Sequence, residues 1–124
     1  MATFTKAHLT GAADGEGILV ASTSGLGGGS PNGTLIHTAV AGTTAGTFDE
    51  IWLYATNTST SGVKLTLEWG NQTDDTGHIE VMIPPESGLM QIVPGLILHN
   101  TKKVTAFAGT ANVITVHGFV NSIA

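Results

Sequence analysis

Along Val63-Lys64-Leu65-Thr66-Leu67-Glu68-Trp69 apolar and polar residues alternate, so Val63, Leu65, Leu67 and Trp69 share one face while Lys64, Thr66 and Glu68 share the other. This predicts a strand with one dry side and one wet side. Ile79 to Ile83 repeats the pattern with Ile79, Val81 and Ile83 inward, and Pro84-Pro85 ends it, because proline cannot donate to a sheet ladder. The polar stretch from Gly70 to Gly77 between these two runs predicts a hairpin connection. Two further segments are apolar on both faces. Phe48 to Thr56 carries Ile51, Leu53 and Ala55 on one side and Trp52 and Tyr54 on the other, and Leu89 to Leu98 is nearly continuous. Pro94-Gly95 predicts a bend there, as a corner between sheets or a break between two strands.

Shorter runs of the same kind are Phe4 to Leu9, Gly17 to Ser22, Thr34 to Val40, Val104 to Ala108, and Val113 to Phe119 or beyond, with Gly109 to Asn112 read as a tight hairpin turn. Helical periodicity fails, because glycines and β-branched residues interrupt every window long enough to hold three turns. Strands at this spacing predict an all-β fold, an antiparallel β-sandwich with a jelly roll of about eight strands as the expected topology. The 124 residues are expected to form a single domain over 1–124, with residues 23–33, rich in glycine, as a flexible loop.

Composition changes the picture in one respect. Only 10% of the residues are charged, where soluble domains carry roughly 25%. Neutral polar residues can cover part of such a surface, and subunit contacts, whose cores are depleted of charge, can hide the rest. A doubly apolar strand such as Phe48 to Thr56 needs the same second cover, so Trp52 and Tyr54 are expected interface residues, and Leu26 of the glycine-rich stretch is expected there with them. The net charge is -5, with no arginine and four lysines, Lys6, Lys64, Lys102 and Lys103. Nucleic acid is therefore not an expected partner, since phosphate binding is driven by Lys and Arg. There is no cysteine for a disulfide or thiolate site, no apolar run long enough for a membrane span, and no export signal at Met1 to Lys6, so synthesis in an aqueous cytoplasm is expected.

Candidate chemistry is sparse. The glycines of residues 23–33 could cradle a phosphate, but no Lys-Ser or Lys-Thr follows them and no helix is predicted there. The five histidines, His8, His37, His78, His99 and His117, show no metal-binding spacing. In loop 71–78, Asn71, Asp74 and Asp75 beside His78 could hold a cation, although the bidentate Glu of a dedicated calcium loop is missing, and Asx turns are the simpler expectation. Glu68 and Glu80 could stand at a glycosidase distance, as could many pairs on a sheet. No Gly-x-Ser-x-Gly elbow occurs. The expectation is no catalytic residue, no metal, no cofactor and no enzyme.

Several stretches resemble small virion-associated proteins of tailed bacteriophages: Gly17 to Val20, Gly33 to Val40, Asp49 to Asn57, Val63 to Gly70, Val93 to Leu96, and the ending Ala106 to Ala108 through Gly118 to Asn121. Among proteins of this kind the resemblance is to capsid decoration, or cement, proteins, which sit as trimers of small β-sandwiches on the outer shell. It implies a homotrimer whose partners are the major capsid protein or other virion proteins, with its place in the virion. No family motif assigns a binding residue to any position here. The alternatives are a tail, neck, baseplate or fibre-attachment module and a carbohydrate-binding β-sandwich.

Overall fold

A computed structural model describes residues 3–25, 33–73 and 75–124. Among these residues nine strands follow one another: β1 (Phe4–His8), β2 (Ile18–Leu19), β3 (Thr34–Thr38), β4 (Phe48–Asn57), β5 (Val63–Trp69), β6 (His78–Ile83), β7 (Ser87–Leu98), β8 (Lys103–Ala108) and β9 (Ile114–Ile123). A single 3-10 turn, Asp75–Gly77, precedes β6. One sheet has the order β1-β9-β4-β7, with β2 also pairing β9, and the other has the order β3-β8-β5-β6. Every pairing is antiparallel.

β1 and β2 lie along the same side of β9, β1 against residues Phe119 to Ile123 and β2 against Thr115 and Val116. Taken as one interrupted edge strand, they reduce the count to eight, in the strand order of a jelly roll. Ile51, Leu53 and Ala55 of β4 then face Leu65 and Leu67 of β5 across one shared core, with Ile36, Val104, Ile114 and Val116 beside them. The alternation in the sequence is the cause, because only one parity of each strand can turn inward without burying polar groups.

Three expectations need correction. Gly109 to Asn112 does not close a hairpin: β8 pairs β3 and β5 in one sheet, while β9 pairs β1, β2 and β4 in the other. Turn residues show where the chain reverses, and the reversal here crosses the sandwich. Pro94-Gly95 neither breaks the strand nor turns a corner. β7 runs from Ser87 to Leu98, and Gly95, at φ +83, drops out of register as a bulge between the pairs Ile51–Leu96 and Trp52–Pro94. An edge strand tolerates this proline, since its missing N–H need face no neighbour.

The third correction concerns the wet side of β5. Lys64 is exposed, but Thr66 and Glu68 are wholly buried. Gly25 and Gly33 pass over that face so closely that a Cβ on Gly25 would lie 2.5 Å from the Glu68 carboxyl carbon, and one on Gly33 would lie 2.8 Å from its Oε1. The Glu68 Oε1 accepts a hydrogen bond from the Thr105 hydroxyl at 2.7 Å. The chain itself thus roofs the middle of the four-stranded sheet.

A polar clamp ties the two sheets together. His37 of β3 and Asp49 of β4 are both buried, with Nε2 and Oδ2 2.7 Å apart. The Thr10 amide donates to His37 Nδ1 at 3.1 Å, which leaves Nε2 as the nitrogen that carries the proton and donates to Asp49. The same Asp49 oxygen accepts from the Val40 amide at 3.1 Å.

Candidate functional site

The outer face of the five-stranded sheet has no roof among the described residues. The inward positions of β4 are Asp49, Ile51, Leu53, Ala55 and Asn57, so Glu50, Trp52 and Tyr54 point out, and each is half-buried by its neighbours on the sheet. Ladder register places Trp52 opposite Phe119, Tyr54 opposite His117, and Glu50 opposite Asn121. The side chains follow these pairings. The Trp52 and Phe119 rings stack with planes 8° apart and centroids 6.1 Å apart, and the Lys6 ammonium of β1 sits 4.6 Å from the Phe119 centroid.

Two glycines make this arrangement possible. At Gly118 of β9 a Cβ would fall on the Trp52 carbonyl oxygen, so only glycine lets β9 and β4 approach there. At Gly95 a Cβ would lie 2.9 Å from the Trp52 benzo ring, so the bulge is the surface against which the indole rests. One ring face of Phe119 is thus taken by Lys6, and the Trp52 indole leans on β7.

Glu50 fixes the far end of the row. Its Oε1 accepts from Trp52 Nε1 at 2.8 Å and from Asn121 Nδ2 at 3.0 Å. These bonds, the one from Asn121 first, favour the charged form and hold the carboxyl below its ordinary value of 4.5. A carboxyl lowered on folding contributes stability that is complete above that ordinary value and lost as pH falls through the lowered one. Thermal denaturation from pH 7 to pH 3 is therefore expected to show wild type losing its advantage over Glu50→Gln in the acid range. A gap that stays constant across the range would contradict the assignment.

Large apolar side chains concentrate on the same face. Among the described residues seven stand exposed: Phe4, Leu19, Leu35, Met82, Leu89, Leu96 and Ile97. Four of them, Phe4 (71%), Leu89 (61%), Ile97 (52%) and Leu19 (49%), fall on the outer side of the five-stranded sheet by register and alternation. Leu35 and Met82 belong to the other sheet. An open groove of about 640 Å³ adjoins the face at one end, walled by Phe48, Ile97 and Leu98, with Lys102 among its lining residues.

Of the residues expected at an interface, Trp52 and Tyr54 lie on this face, while Leu26 lies outside the described residues. Sequence reading missed Phe119, Lys6 and Asn121, whose relation to Trp52 depends on β9 lying beside β4 and β1 lying beside β9. The signal available was Gly118-Phe119, a glycine beside an aromatic residue in a strand.

Several of the other candidates make local contacts among the described residues. In loop 71–78, Asn71 Oδ1 accepts from the amide and hydroxyl of Thr73, which is an Asx turn. Asp75 stands 3.6 Å from His78 Nδ1, and Asp74 lies outside the described residues. No group of three or more His, Asp or Glu able to hold a metal ion occurs among the described residues. Glu68 and Glu80 are separated in depth, since Glu80 pairs with Lys64 at the surface at 3.1 Å while Glu68 lies under its roof. No helix of the described residues is long and apolar enough to cross a membrane.

The fold and the face together define a jelly-roll sandwich in which, among the described residues, one sheet is roofed by its own chain and the other is open. No protein-family model, no curated protein and no solved structure matches the chain.

Proposed function

We propose that the protein is a structural component of a virion, a capsid decoration protein that binds the assembled outer shell as an oligomer and stabilises it. The observation that carries this reading is the open outer face of the five-stranded sheet, which bears the Trp52–Phe119 row and four exposed large apolar residues in a chain with little charge. A face of that composition is hidden by protein in the working state.

Fold-level analogy narrows the setting, because jelly rolls recur in viral capsid proteins, lectins and cupins. A cupin needs free imidazoles in its interior. The buried His37 has both ring nitrogens committed, to Thr10 and Asp49. A lectin platform needs open aromatic faces, whereas Lys6 covers Phe119 and the indole rests against Gly95. A capsid role needs neither feature. It needs only surface complementarity repeated over many copies, through which binding to the shell and not to its dissociated parts stabilises the shell by mass action.

The test is quantitative mass spectrometry of purified particles of the virus that encodes the chain. The expected result is the polypeptide in a fixed ratio to the major capsid protein, and shells lacking it that break at lower temperature. Its absence from washed particles, or its presence at tail-like copy number, would overturn the decoration reading.

A further inference from the structure

We infer that the outer face of the five-stranded sheet packs against a second copy of this chain, which deepens the proposed function by assigning this face to contact between copies rather than to the shell. Charge favours that occupant. The chain as a whole is at -5, so two copies repel each other over most of their surfaces. On this face the charged residues of the outward-facing strand positions are Lys6 and Glu50 alone, so the surplus of acid lies elsewhere and the repulsion is least here.

The two charges are also disposed to meet their opposites across such a contact. Lys6 has no carboxylate within ion-pair distance among the described residues, resting instead over the Phe119 ring. Glu50 receives both of its hydrogen bonds on Oε1, which leaves Oε2 open to a cation arriving from outside. Within one copy, Lys6 pairs in register with Asn121, and Asn121 with Glu50, so a strand stands between the two charges and the ion pair is not made internally. A second copy laid over the face supplies it. The apolar parts agree: Phe4 at one flank and Ile97 at the other are more than half exposed and flank the aromatic row.

Phe4→Glu and Ile97→Glu test the contact without touching the core, because both side chains already stand in solvent. Met82→Glu is the control, since Met82 is 59% exposed but lies on the other sheet. In sedimentation equilibrium at micromolar concentration the wild type and Met82→Glu are expected to associate. The two face variants are expected to associate about tenfold or more weakly, with unchanged circular dichroism and, at dilutions where every form is monomeric, an unchanged melting temperature, because a carboxylate desolvated in an apolar contact is expensive. A monomeric wild type, undiminished association of both face variants, or equal loss in Met82→Glu would each overturn the inference. A monomer found on particles would sink this contact and leave the virion role standing, whereas an oligomer absent from particles would do the reverse.

Discussion

Replacing Asp49 with alanine is expected to lower unfolding stability by about 2 to 4 kcal/mol, because two hydrogen-bond donors lose their acceptor. The size follows from what the carboxylate holds. Its Oδ2 accepts hydrogen bonds from His37 Nε2–H and from the Val40 amide, and His37 Nδ1 in turn accepts from the Thr10 amide. Without it, a buried imidazole N–H and a partly buried backbone N–H lose their acceptor, and an orphaned buried donor costs about 1 to 3 kcal/mol. The clamp also joins β3 to β4, which belong to different sheets, so its loss loosens the sandwich as a whole. Guanidinium denaturation checks this. Removing both side chains, His37→Phe with Asp49→Leu, is expected to recover only the part due to the imidazole N–H, because the Thr10 and Val40 amides then lack their acceptors. A single variant within about 1 kcal/mol of wild type would show that the pair contributes little.

The second large effect is expected at Gly118. Alanine there would place its methyl on the Trp52 carbonyl oxygen, with the Leu53 side chain 3.1 Å away. Neither neighbour yields easily, because one is ladder backbone in the centre of a sheet and the other is a wholly buried core residue. Overpacking typically costs about 1 to 3 kcal/mol where side chains can adjust, so a collision with backbone belongs at the top of that range or above it. The strain falls on the β4–β9 ladder that aligns Trp52 with Phe119. Gly118→Ala is therefore expected to weaken association as well as stability, and its tryptophan emission should shift. Full stability in this variant would mean that the two strands are farther apart than described.

The contrast between these positions and the alternating runs explains how much of the molecule was legible in its sequence. β5 was readable to the residue, Val63 to Trp69, because a period of two with β-branched and aromatic residues leaves few alternatives. The strand order was not readable in that direct way. Gly109 to Asn112 has the composition of a hairpin turn, yet it carries the chain from one sheet to the other, because local residues fix a reversal and long-range burial decides the partner. Glu68 looked solvent-facing by its parity, and parity was right. Its burial comes from Gly25 and Gly33 above it, contacts from distant parts of the chain that no local pattern encodes.

The interaction face was legible to the same degree. Trp52 and Tyr54 were recognisable from one strand, since they share a side opposite Ile51 and Leu53. Phe119, Lys6, Asn121 and Ile97 joined them only through register across three strands. A polar clamp such as His37 with Asp49 is likewise invisible at a separation of twelve positions, as each residue alone is an ordinary turn or strand residue.

Hydroxyl-radical footprinting of dilute and assembled protein tests the central claim most directly, because it reads side-chain exposure at both sheets in one experiment. Burial of the open sheet predicts that Trp52, Tyr54, Phe119 and Ile97 become protected on assembly while Met82 stays as reactive as before. Unchanged labelling of the four, or protection confined to Met82, would contradict the account.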